Sequence, residues 1–118
     1  MDTIYIETTI VGHLGGRMLS DSIIAARQHS TREWWEIHAS RYKCFVSLLV
    51  IEECSAGNAA AAEERLRIIS DLDVLGGSSE ADHLANALIK SKAIPESEPR
   101  DAMHISLAAT NGVKYLLT

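Results

Sequence analysis

Short apolar segments typical of strands alternate with longer helix-forming segments along the whole chain, and this alternation constrains the fold more than any other feature. Strands are predicted at residues 3–6, 43–47, 73–75 and 113–118. Helix-forming segments separate each strand from the next, a pattern that favours parallel pairing through helical crossovers. The sequence therefore predicts an α/β fold with a central, mostly parallel sheet that is covered by helices on both faces.

Local signals predict where the helices begin and end. A first helix is expected to start at residue 20 or 21, and Ser30 with Glu33 fits the capping box of a second helix that runs to about residue 39. Ser47 ends a strand and is placed to cap the helix that follows it. Gly112 is the expected end of the last helix before the final strand.

Size and composition bound the kind of protein this is. A chain of 118 residues fits one domain, with no apolar run that could cross a membrane and no signal-peptide pattern, so a cytoplasmic protein is expected. The net charge of −5 opposes general coating of nucleic acid, but it does not oppose a nuclease whose metal ions neutralise an acidic centre. Cys44 and Cys54 are expected to be buried thiols, and no zinc-ligand spacing is present.

Three acidic residues stand where strands give way to helices or where a helix begins: Glu7, Glu53 and Asp101. In an open α/β sheet such positions can meet at one edge, and clustered carboxylates usually hold a hard divalent cation. Each residue also has a simpler interpretation. Asp101 would favour the dipole of its own helix, and Glu53 could be a solvated helix residue whose neighbour Glu52 competes for the same role.

The segments that carry these residues resemble the PIN-domain family and, within it, toxins of the VapC type. The matching segments follow one another in the order of the family: Tyr5–Thr9, Val46–Glu53, Asp101–Ala108, and Gly112 with Tyr115–Thr118. The resemblance implies a PIN-like three-layer sandwich with an acidic pocket for Mg²⁺ or Mn²⁺. It also implies cleavage of single-stranded RNA by a metal-activated water, a homodimer, and a cognate antitoxin that blocks the pocket.

Carried over position by position, the resemblance assigns Glu7, Glu53 and Asp101 as the metal-binding and catalytic residues. Thr8, Ser47 and His104 lie near the same positions in the sequence and are expected to support the carboxylates. Ser47 could equally cap its helix and do no more, and His104 could be a packed histidine.

Two departures from the family pattern leave an alternative function open. The family usually has Asp where this chain has Glu7, and the extra methylene would displace the carboxylate. The chain also ends at Thr118, so the closing strand and helix of the family are expected to be missing from this single domain of residues 1–118. The alternative is therefore a catalytically impaired PIN-like module that acts in protein or RNA binding.

Overall fold

Four strands and six α-helices alternate along the chain in the computed structural model, which describes all 118 residues. In chain order the elements are β1 (Asp2–Ile6), α1 (Thr8–Leu14), α2 (Ser22–Ile37), a 3₁₀ helix (Ala39–Arg41), β2 (Tyr42–Ser47), α3 (Leu48–Cys54), α4 (Ala59–Ile69), β3 (Asp73–Leu75), α5 (Ser79–Lys90), α6 (Pro99–Thr110) and β4 (Tyr115–Leu117).

The strands form one sheet in the order β3-β2-β1-β4. All three pairings are parallel, with Tyr5 of β1 in register with Phe45 of β2 and with Leu116 of β4. The carboxyl ends of all four strands therefore lie along the same edge. The predicted α/β fold is confirmed, and the sheet is wholly parallel.

Helices cover both faces of the sheet. Ile4, Tyr5 and Ile6 are consecutive in β1 and are all buried, although successive side chains of a strand point to opposite faces. The helices form two groups, in which α1 contacts α2, α3 and α4, while α5 packs against α6. The structure is thus a three-layer sandwich whose core contains 13 buried apolar or aromatic residues. Burial of one such aliphatic side chain stabilises the fold by about 1.5–3 kcal/mol.

The prediction of two helices between residues 20 and 39 is wrong. A single helix, α2, spans this stretch, and Asp21 caps it by accepting hydrogen bonds from the amides of Ile23 and Ile24. Ser30 and Glu33 lie inside this helix instead of forming a capping box. Because no glycine or proline interrupts residues 22–37, a helix that begins at Asp21 can continue through the second signal.

Other local signals begin or end helices where the sequence predicted. Ser47 is the last residue of β2, and its hydroxyl accepts a hydrogen bond from the amide of Val50, so α3 begins where β2 ends. Gly112 follows the end of α6 with φ of +68°, a conformation that costs little for glycine alone. Both α1 and α3 therefore start at the carboxyl edge of the sheet, next to its two central strands.

Candidate functional site

Glu7 stands at the boundary between β1 and α1. Its backbone amide donates to the carbonyl of Leu117 (3.1 Å), which extends the β1–β4 ladder by one step. Its side chain caps α1, because Oε2 accepts from the amide of Thr9 (3.0 Å) and also from the hydroxyl of Thr118 (3.2 Å). Glu7 is only 8% exposed. Strand and helix together hold this carboxylate at the edge of the sheet.

The second oxygen of Glu7, Oε1, accepts no hydrogen bond. It lies 3.9 Å from Nε2 of His104, which is beyond hydrogen-bond range. No buried side-chain nitrogen or oxygen in the protein lacks a partner, so this free oxygen must reach the surface. It is the one anionic atom of the cluster that is available to a ligand without breaking an existing bond.

Glu53 reaches the same place from the last turn of α3. Its Oε1 accepts from the hydroxyl of Thr8 (2.6 Å) and lies 2.8 Å from Nε2 of His104. Its Oε2 accepts from Nη1 of Arg100 (3.3 Å). Burial raises the pKa of this carboxyl, but the hydrogen bonds from Thr8, His104 and Arg100 outweigh burial and hold the pKa below its ordinary value. Glu53 is therefore ionised at neutral pH.

His104 of α6 joins the two carboxylates to a buried polar network. Its side chain is 2% exposed, and its Nδ1 lies 2.6 Å from the hydroxyl of Tyr5. That hydroxyl lies 2.8 Å from the hydroxyl of Ser47. Hydrogen bonds thus connect β2, β1, α6 and α3 in series, through Ser47, Tyr5, His104 and Glu53.

The donor and the acceptor of each hydrogen bond in this network can be assigned from the hydrogens that each group carries. Ionised Glu53 can only accept, so Nε2 of His104 donates to it, and Nδ1 then accepts from Tyr5. Desolvation by burial, opposed only in part by the bond to Ser47, raises the pKa of Tyr5 to about 12, so its hydroxyl keeps its proton. Ser47 then donates to Tyr5 and accepts from the amide of Val50. With Tyr5 donating to Nδ1 and Ser47 donating to Tyr5, every hydrogen of the network has an acceptor.

The arrangement suits a hard divalent cation. Ligand atoms of Glu7, Glu53 and His104 all lie within 4.8 Å of one another. Magnesium is usually held by one or two protein carboxylates and keeps several waters, which matches the two carboxylates of Glu7 and Glu53. Because Nε2 of His104 carries a hydrogen, this residue orients Glu53 and does not offer a lone pair to a metal.

Asp101 is the sequence-predicted residue that the structure leaves outside this cluster. It lies in the first turn of α6, one turn before His104, with an exposed side chain. Its carboxylate is not among the ligand atoms that lie within 4.8 Å of one another. The structure thus brings together Glu7 and Glu53, while Asp101 stands on the rim.

Of the supporting residues, Thr8 binds Glu53 directly, and Ser47 both caps α3 and bonds Tyr5. Sequence reasoning missed Tyr5 and Arg100. A signal existed for Tyr5, because a tyrosine inside a buried strand needs a partner for its hydroxyl. No signal marked Arg100, whose pairing with Glu53 spans 47 residues.

A polar groove of about 630 Å³ lies beside the carboxylates, between α1 and the first half of α2. Its lining includes hydroxyl groups and two basic side chains, among them Thr9, His13, Arg27 and Thr31. One end of the groove reaches Thr118, whose hydroxyl bonds Glu7. Thr9 and Thr118 of its lining both donate to Glu7, so the groove adjoins residues that hold this carboxylate.

Comparisons with known proteins connect this geometry to one fold. No family model matches the sequence, and no curated protein is detectably similar to it in sequence. Among solved structures, VapC20 of Mycobacterium tuberculosis, a toxin that cleaves the sarcin–ricin loop, superposes with a TM-score of 0.69 at 16% identity. That match covers 97% of this chain and 87% of VapC20.

A second solved structure shares the architecture. VapBC2 of Rickettsia felis, bound to a DNA fragment from its promoter, matches with a TM-score of 0.62 at 16% identity, over 98% of this chain and 86% of the other. This chain has the PIN-like fold of the VapC toxins. The predicted PIN-like sandwich is therefore confirmed at the level of the fold.

No helix of the VapC-like structure is both long and apolar enough to cross a lipid bilayer.

Proposed function

We propose that this VapC-like chain is a metal-dependent endoribonuclease, the toxin component of a toxin–antitoxin pair. The observation that carries the proposal is the convergence of Glu7 and Glu53 from separate strand–helix junctions, with ligand atoms within 4.8 Å. Two buried anions repel one another unless a positive charge lies between them. The likeness in fold to a ribonuclease toxin supports the same assignment.

The residues of the acidic cluster would have separate roles in cleavage. Mg²⁺ or Mn²⁺ held there would supply charge neutralisation at the phosphate and a bound water of lowered pKa. Glu7 would be one residue to hold the ion, and the bond from the amide of Thr9 fixes its carboxylate to the start of α1. Glu53 would be the other, and His104 and Thr8 hold its carboxylate in place. Asp101, on the rim, would act through water on the incoming strand.

The partners proposed for this chain follow from the same comparison. The matching VapBC2 structure holds a toxin–antitoxin pair on promoter DNA. We propose a cognate antitoxin for this chain, covering the acidic cluster, and pairing of two copies into a homodimer. The RNA strand would enter along the groove beside α2, where Arg27 and His13 offer positive or polar contacts to phosphates.

The test is cleavage of single-stranded RNA by the purified chain with Mn²⁺, with Mg²⁺, and with excess chelator. Glu7→Gln and Glu53→Gln should each reduce cleavage by a factor of at least about 100, since each removes a charged ligand. Glu52→Gln is the matched control, because it changes the same residue type at the neighbouring, exposed position. Cleavage that survives both the chelator and Glu53→Gln would refute the proposal.

A binding module without catalysis is the second candidate, and one observation favours it. The carboxylate of Asp101 is outside the cluster, so only two acidic residues face the site. In that case Asp101→Asn would have no activity to change, while the chain would still bind RNA or an antitoxin. Metal-dependent cleavage by the unaltered chain, reduced in Asp101→Asn, would rule this candidate out.

A further inference from the structure

Arg100 contacts the acidic cluster but has no role in the cleavage scheme above. Its Nη1 lies 3.3 Å from Oε2 of Glu53, and 62% of its side chain is exposed, against 15% for Glu53. The guanidinium therefore lies on the solvent side of the carboxylate. It occupies Oε2 of Glu53, while Thr8 and His104 bond the other oxygen.

The position of Arg100 in its helix argues that this contact does not serve the stability of α6. Pro99 is the first residue of α6, so Arg100 lies in the first turn, where the helix dipole disfavours a positive charge. Asp101 beside it is the charge that suits this end of the helix. The arginine end of the pair is 62% exposed, so screening by solvent limits what the pairing with Glu53 contributes to folding.

The balance of charge at the site predicts when the ion pair between Arg100 and Glu53 would break. Without a cation, two carboxylates face one another, and Arg100 is the only arginine or lysine side chain that bonds either of them. A divalent cation between Glu7 and Glu53 would neutralise both and would repel the guanidinium. Arg100 would then be left at the entrance with a planar fork of donors, the geometry that binds phosphate in a bidentate way.

We propose that Arg100 is a removable counter-ion of the site: it pairs with Glu53 when no divalent cation is bound, and it turns to a phosphate of the RNA strand when the cation takes its place. This inference rests on the proposed function, since it assigns a role at the same carboxylates. It makes Arg100 a substrate-binding residue whose availability depends on metal occupancy. Its two consequences have opposite signs, because losing Arg100 should favour metal binding and weaken RNA binding.

The experiment measures Mn²⁺ affinity by calorimetry in the full chain and in Arg100→Met, without RNA. The substitution removes the guanidinium that competes with Mn²⁺ for Glu53. Because such an ion pair is weak, Mn²⁺ binding should tighten about two- to five-fold. Arg67→Met is the matched control, because Arg67 is an exposed arginine that also pairs with a glutamate, Glu63, on α4 and outside the cluster. It makes the net charge more negative by the same one unit and should leave Mn²⁺ affinity unchanged.

The second measurement is binding of a 2′-O-methyl RNA oligonucleotide by fluorescence anisotropy, with gels to verify that the probe stays intact. With saturating Mn²⁺, Arg100→Met should bind about five-fold more weakly than the unaltered chain, whereas without metal the two should be similar. Arg100→Lys keeps the charge but loses the fork, so it should recover only part of the binding.

The outcomes separate this inference from the proposed function. If the unaltered chain binds no Mn²⁺, both are overturned. If it binds Mn²⁺ but Arg100→Met binds the ion equally or more weakly, the counter-ion role is overturned and the nuclease proposal stands. If Mn²⁺ binding tightens while RNA binding is unchanged, the phosphate role is overturned and the counter-ion role is supported.

Discussion

Removing one buried hydroxyl should reveal how strongly the network beneath the carboxylates is coupled to folding. Tyr5→Phe deletes the oxygen that accepts from Ser47 and donates to His104, and it leaves the ring in place. Tyr5 is fully buried, so water cannot replace either bond without entering the core. The substitution therefore leaves the buried acceptor Nδ1 of His104 without its donor.

The magnitude follows from those two bonds. Each contributes about 0.5–1.5 kcal/mol net, and an unsatisfied buried acceptor costs about 1–3 kcal/mol, partly offset because the mutant no longer buries a hydroxyl. We expect a loss of about 2 kcal/mol in the free energy of unfolding. For a chain of this length that corresponds to a fall in melting temperature of roughly 6–10 °C. In urea the midpoint should fall by about 1 M.

The assay is urea unfolding followed by circular dichroism, with Tyr42→Phe as the matched control. Tyr42 is partly exposed and packs through its ring against Trp34 and Tyr115, so its hydroxyl should matter by less than about 0.5 kcal/mol. Ser47→Ala and the double variant complete a cycle, which should give a coupling energy of at least about 0.5 kcal/mol. A Tyr5→Phe protein as stable as the unaltered chain, with the same urea slope, would refute the hydrogen assignment.

Three further predictions concern other groups. The folded-state pKa of Glu53 lies below its ordinary 4.5, so its ionised form stabilises the fold above that pH. This contribution disappears as the pH falls through the folded-state pKa. The difference in free energy of unfolding between the unaltered chain and Glu53→Gln, measured in urea, should therefore become smaller in acid. Gly12→Ala, inside α1 with open space around it, should stabilise the protein by about 0.5–1 kcal/mol, whereas Gly112→Ala at φ +68° should destabilise it by about 1–2 kcal/mol in the same urea assay. Burial raises the pKa of the Cys54 thiol, so iodoacetamide should modify it only as fast as the protein unfolds, as mass spectrometry would show.

Features set by neighbours in sequence could be predicted from the sequence. The cap at Ser47 depends on a bond that spans three residues, and the end of α6 uses the backbone freedom of Gly112 together with the neighbouring cap residue Asn111. The parallel sheet followed from alternation, since helical crossovers leave few other topologies. The prediction that a second helix starts at Ser30 is wrong because a capping signal is only a preference. A helix that already begins at Asp21 continues through it.

The interior of the site could not be predicted in the same way, because its partners lie far apart in the chain. Within α6 the apolar side chains of Met103 and Ile105 are only half-buried. His104 and Ser106 are buried instead. A buried histidine is tolerable here because Tyr5, 99 residues away, satisfies its Nδ1. The metal roles of Glu7, Glu53 and Asp101 remain predictions.

The glutamate at position 7 has a physical explanation in the structure. Its carboxylate does two things at once, since Oε2 is fixed to the first turn of α1 and to Thr118 while Oε1 stays free toward Glu53. The bond to the amide of Thr9 already fixes one oxygen at the start of the helix, so the extra methylene does not leave the carboxylate loose. With the free oxygen of Glu7 and the oxygen of Glu53 that Arg100 now bonds, the protein itself could satisfy only part of an octahedral shell. Waters and a phosphate oxygen would have to complete it, and those are the ligands that hydrolysis of RNA requires.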